Sequence, residues 1–159
     1  MTSFYLDTSA LVKLYIPETG SEWVDSIFRE MNPPGFPVNQ LAFAKIGIVE
    51  VAAAIARRSR MGEINAHMRL IFYKKFLDDS SKRYRLLDIT NGMIYLAASL
   101  TQRLSLRGYD AVHLAAALTL NQHLLALKST PLTFISADED LCHAARSEGL
   151  SSDNPNQHA

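Results

Sequence analysis

A single cysteine, Cys142, in 159 residues leaves no partner for an internal disulfide and fits a reducing, cytoplasmic setting. Charge of either sign is not in excess: 16 Lys and Arg balance 16 Asp and Glu. Composition therefore gives no broad electrostatic footprint for nucleic acid and leaves only a local basic patch. No apolar run is long enough to span a bilayer, because Glu50, Asp110 and scattered basic residues interrupt each candidate. The chain reaches Asp7 too soon for a signal peptide. These absences predict a soluble cytoplasmic protein that does not enter a membrane. His67, His123, His143 and His158 show no zinc-like spacing with Cys142. The glycine loops that cradle dinucleotides or nucleoside triphosphates are missing too.

What is present reads as one α/β domain. The 48% hydrophobic content is ordinary for a globular chain with a sizeable core. Short strands are expected at Phe4–Leu6, Val38–Phe43, Tyr84–Ile89 and Thr133–Ser136. Helices are expected at Thr8–Ile16 (stopped by Pro17), Ser21–Met31, Lys45–Met61, Glu63–Leu77, Gly92–Leu104, Asp110–Leu127 and Glu139–Glu148. Gly62 suits a helix C-cap, and the polar segment 151–159 is expected to be a disordered tail. Strands alternating with helices imply a parallel sheet covered on both faces.

Four carboxylates stand out by their surroundings. Asp7 and Asp138 each end a strand-like apolar run, while Glu50 and Asp110 are nearly alone in apolar helical stretches. Such carboxylates are costly unless paired or bound to a cation. Open α/β sheets place their sites beyond the carboxyl ends of the strands, where Asp7 and Asp138 fall. Taken singly, Asp7, Asp110 and Asp138 also suit helix N-caps. Glu50, in mid-helix, caps nothing, and its ordinary alternative is an ion pair. An all-oxygen set fits a hard divalent cation such as Mg²⁺. One or two such ions polarise a phosphodiester and activate water.

Supporting candidates surround these acids. Ser9 is placed to bond an acid, a water or a phosphate. Asp140 follows two residues after Asp138, and His113 lies one turn after Asp110. Arg57, Arg58 and Arg60 follow Glu50, and Arg107 precedes Asp110. Arg57, Arg107 and His113 are candidate RNA contacts, against the usual reading of such residues as solvated or structural.

Four segments together resemble the PIN-domain family. They are Tyr5-Leu6-Asp7-Thr8-Ser9-Ala10-Leu11, Ile48-Val49-Glu50-Val51, Arg107-Gly108-Tyr109-Asp110-Ala111-Val112-His113-Leu114, and Phe134-Ile135-Ser136-Ala137-Asp138-Glu139-Asp140-Leu141. The likeness covers about Phe4 to Leu150, making residues 1–150 one such domain. Its size and last two motifs look most like VapC-type toxins of toxin–antitoxin pairs. The resemblance implies a three-layer α/β/α fold and Mg²⁺- or Mn²⁺-dependent cleavage of RNA. It also implies homodimerisation and inhibition by a cognate antitoxin. Carried over by motif, Asp7, Glu50, Asp110 and Asp138 form the catalytic set, with Asp7, Asp110 and Asp138 as metal ligands. Ala44-Lys45 departs from the pattern, since a small hydroxyl residue is common there.

Other readings are a non-catalytic PIN-like binding module, a housekeeping PIN nuclease, and a phosphatase of the haloacid-dehalogenase type. The last wants a second acid where Ser9 stands. Met68, Ile71, Phe72, Phe76, Ile94 and Tyr95 exceed what one small core readily absorbs and are expected to form contact surfaces.

Overall fold

A computed structural model of the chain describes residues 1–158. The first strand, β1 (Thr2–Leu6), lies at the centre of a five-stranded sheet rather than at its edge. It pairs in parallel with β2 (Asn39–Ala44) on one side and β4 (Thr133–Ile135) on the other. β3 (Tyr84–Leu87) and β5 (Ser151–Asp153) complete the order β3-β2-β1-β4-β5, with all pairs parallel. Successive side chains on a strand face opposite sides, and the sequence uses both. Tyr5, Ala42, Ala44 and Phe134 face one core, under α5 (Asn91–Arg103), α6 (Gly108–Ala126) and α7 (Glu139–Ser147). Leu6, Leu41, Phe43 and Ile135 face the other, under α1 (Thr8–Leu11), α2 (Ser21–Arg29), α3 (Ile46–Arg60) and α4 (Ala66–Lys82). The result is the expected three-layer α/β/α arrangement. Ala111, Ala115, Ala116 and Ala117 are fully buried, and such small side chains let α6 press closely on its neighbours.

Some boundaries differ from the expected ones for identifiable reasons. The helix after β1 keeps its α form only to Leu11 and tightens into a 3₁₀ turn over Val12–Leu14 before Pro17. α4 starts later because Asn65 is its cap, its side chain accepting the Met68 N–H at 2.8 Å. α4 then runs on to Lys82, with no glycine or proline to stop it. Gly62 ends α3 as expected, at φ 77° in the left-handed region that glycine tolerates.

The expected disordered tail is corrected. Residues 151–153 pair with β4, and residues 155–157 form a 3₁₀ turn; Ala159 lies outside the described residues. An edge strand needs little side-chain burial, so its polar sequence does not advertise it. Ser152 Oγ donates to the Cys142 carbonyl at 3.1 Å, and Asn154 Nδ2 donates to Glu139 Oε2 at 3.0 Å. The His158 ring stacks on Trp23 at 4.1 Å. Gly20 permits this docking: a Cβ there would lie 2.3 Å from the Pro155 carbonyl oxygen. The apolar surplus on the helices is smaller than expected, because Phe76 is fully buried and Phe72 packs against the same core. Met68, Ile71, Ile94 and Tyr95 are exposed.

Candidate active site

Asp7 caps α1 and belongs to a buried hydroxyl network. Its Oδ1 accepts from Ser9 Oγ at 2.6 Å and from the Ala10 N–H at 3.0 Å. Its Oδ2 accepts from Ser136 Oγ, also at 2.6 Å. Ser136 Oγ in turn accepts the Asp138 N–H at 3.1 Å, and Ser9 Oγ accepts the Ala137 N–H at 2.9 Å. Two hydroxyls thus tie the end of β1 to the loop after β4. Asp138 caps α7, accepting the N–H groups of Asp140 and Leu141. The helix-cap alternative is thus realised for both Asp7 and Asp138. Asp140 itself is exposed.

Glu50 and Asp110 form the second pair. Both line a cleft of about 650 Å³, together with Arg107, Gly108, Tyr109 and Val112. Asp110 lies in the first turn of α6, where the helix dipole favours negative charge. Arg107 Nε donates to its Oδ2 at 3.1 Å, and Asp138 is within electrostatic reach of the same guanidinium. Arg107 is therefore already partnered with Asp110. Arg57 is exposed on a neighbouring cleft of about 790 Å³, which Glu50, Thr8 and Arg60 also line. Arg58 is committed to Glu18 and Glu63. Lys45, the departure from the family pattern, is paired with Asp88.

Two expectations need correction here. His113 cannot be an RNA contact, because it is only 2% exposed and both ring nitrogens are engaged. Nor do the acids form a ready cage: among the described residues, no three His, Cys, Asp or Glu side chains gather closely enough to enclose an ion. The donor set still suits a hard cation that retains most of its water and takes one or two carboxylates. Asp7 in particular is a buried carboxylate held by two hydroxyls and one backbone N–H with no cationic hydrogen-bond partner, and Oδ2 keeps one lone pair free. Sequence reasoning missed Tyr5 and Ser136. A tyrosine inside a central strand must find a partner for its hydroxyl, which was the available signal for Tyr5.

Burial pushes the Asp7 carboxyl above its ordinary value, against the hydrogen bonds from Ser136, Ser9 and Ala10. A raised folded-state pKa means that this group's stability contribution is full below the unfolded value, 3.8, and is lost as pH rises through the folded value. Asp7→Asn keeps the shape and removes the buried charge. Metal-free Asp7→Asn is therefore expected to unfold at a higher temperature than wild type at pH 7. The gap should close as pH falls towards 4, and added Mg²⁺ should stabilise only the wild type. Scanning fluorimetry across that range checks the sign.

A five-stranded parallel α/β/α sheet, with Asp7 just past the end of its central strand and Asp138 in the loop after β4, defines the class. The chain belongs to the PIN-domain family, whose model matches residues 4–147. No curated protein matches the sequence significantly. Among solved structures, the chain is similar to VapBC2 from Rickettsia felis, determined bound to a DNA fragment from their promoter. Identity is 13% and the TM-score 0.56, covering 96% of this chain and 98% of that one. It is also similar to a toxin–antitoxin complex from Klebsiella pneumoniae, at 14% identity and TM-score 0.54, with 98% of each chain covered. At these identities the likeness establishes the fold. Among the described residues, no helix is long and apolar enough to cross a membrane.

Proposed function

We propose that this protein is a metal-dependent endoribonuclease, the toxin of a toxin–antitoxin pair acting in the cytoplasm. The observation that carries the reading is the cleft shared by Glu50 and Asp110 beside the Asp7–Ser136–Asp138 bridge, in a chain of the PIN family. Asp7, Asp110 and Asp138 are the residues to hold Mg²⁺ or Mn²⁺. When bound, that ion supplies charge stabilisation for a phosphodiester and lowers the pKa of water. Glu50 presents Oε2, which has no hydrogen-bond partner among the described residues, as the atom to take a proton from the attacking water. Arg107 and Arg57 are the cations placed to position phosphates beside these acids. Asp140 supports the site only through its backbone bond to Asp138.

The partners proposed are an RNA substrate, a second copy of the chain and a cognate antitoxin. The exposed apolar residues of α4 and α5 favour the protein contacts. Cleavage of single-stranded RNA is expected to require Mg²⁺ or Mn²⁺. It should fall by about a hundredfold or more in excess EDTA, in line with the several kcal/mol that a catalytic metal supplies. Undiminished cleavage in EDTA would refute the metal mechanism. No cleavage of any RNA with either metal would favour a binding module instead.

A further inference from the structure

A buried chain of three side chains runs from the central strand to the cleft. Tyr5, on β1, is wholly buried, and its hydroxyl oxygen accepts the Ala44 N–H at 3.2 Å. The same oxygen lies 2.8 Å from Nδ1 of His113, and Nε2 of His113 lies 2.6 Å from Oε1 of Glu50. These contacts determine where the protons sit. Ala44 N is a donor only, so the single phenolic proton has no acceptor but Nδ1. Nδ1 is therefore unprotonated, the ring proton belongs to Nε2, and Nε2–H donates to Glu50. The opposite tautomer would aim two N–H donors at the tyrosine oxygen and leave the phenolic proton buried without a partner.

Glu50 is one of the least constrained of the four acids by its own backbone, since it sits in mid-helix and caps nothing. Without a tie, its flexible side chain has several rotamers open to it in the cleft. We infer that Tyr5 and His113 are positioning residues, a relay that clamps Oε1 of Glu50 and leaves Oε2 directed to the reaction. The relay anchors the acid to Ala44, at the end of β2, so that strand and acid move together. Neutral imidazole suits this role. It donates to the carboxylate without adding a full positive charge that would weaken Glu50 as a base or compete with a cation.

The inference rests on the nuclease reading for its consequence but not for its geometry, and the test separates the two. In ¹⁵N-labelled, metal-free full-length protein, long-range ¹H–¹⁵N correlations of His113 are expected to show the neutral Nε2–H tautomer at pH 7. Tyr5→Phe should convert this to a mixture. A cationic ring, or one protonated at Nδ1, would overturn the relay without any activity measurement. In RNA cleavage, His113→Leu should lower kcat about 10- to 100-fold with KM little changed, the range usual for residues that orient a catalytic group. His113→Gln, which keeps a donor near the Nε2 position, should recover much of that loss. His113→Leu with wild-type kcat would also overturn the relay. Wild-type protein with the tautomer intact and no cleavage would refute the nuclease reading while supporting the relay.

Discussion

Replacing Asp110 by Asn is expected to reduce RNA cleavage by about a hundredfold or more while the fold persists. The carboxylate lies at the cleft mouth in the first turn of α6, with its side chain 22% exposed. Asparagine preserves its size and one oxygen, so helix and cleft are undisturbed. What is lost is negative charge where a divalent cation would be held. Preorganised electrostatic groups at a reacting centre typically contribute about 10²–10³ in rate. The bond from Arg107 is an exposed pair and contributes little to stability, so unfolding should move little. The Arg107 guanidinium would be freed, and RNA binding measured apart from cleavage should hold or tighten. In cells, wild-type expression should arrest growth and Asp110→Asn should not. Equal toxicity of the two would show that any arrest arises elsewhere.

Ending the chain after Leu150 is the other large perturbation. It removes β5, exposes the edge of β4, and strips the Trp23–His158 stack and the Ser152 bond to Cys142. At roughly 1 kcal/mol for each hydrogen bond and for the stack, the loss is about 3–5 kcal/mol. For a domain of this size that corresponds to roughly 10 °C in Tm. It also reaches the site. Ser136 N–H donates to the Asp153 carbonyl at 3.2 Å, and Ser136 is the residue that holds Asp7. The truncated chain should therefore lose activity even where it remains folded, and it should aggregate through its uncovered strand. Unchanged melting and activity would show that the segment is dispensable.

The alternation of short apolar runs with amphipathic stretches made the layered fold readable from the sequence, because the three central strands, β1, β2 and β4, bury side chains on both faces. The acids were readable for a related reason: a charge within an apolar run demands an explanation. Their grouping was less so. Glu50 and Asp110 meet in one cleft, while Asp7 sits behind in a hydroxyl network whose partner Ser136 is 129 residues away. Separation of that kind leaves no periodic trace. His113 looked like an RNA contact because helical spacing gives its direction relative to Asp110 but not the depth of the helix. α6 sinks into the core within its first turns, with Ala111 and His113–Ala117 all buried, so a residue one turn on from a partly exposed acid is wholly enclosed. The tail misled for the converse reason, its pairing being carried by backbone atoms that composition does not report.

The position of β1 between β2 and β4 has a consequence for how the protein is made. Asp7 and Glu50 leave the ribosome early, whereas His113, Ser136 and Asp138 are among the later residues synthesised. Until then Asp7 lacks its hydroxyl partner, Glu50 lacks its imidazole, and the central strand has a neighbour on one side only. Contacts so distant along the chain also form slowly. The candidate site is therefore incomplete until the last strands are in place, and the proposed nuclease activity is not expected of the nascent chain.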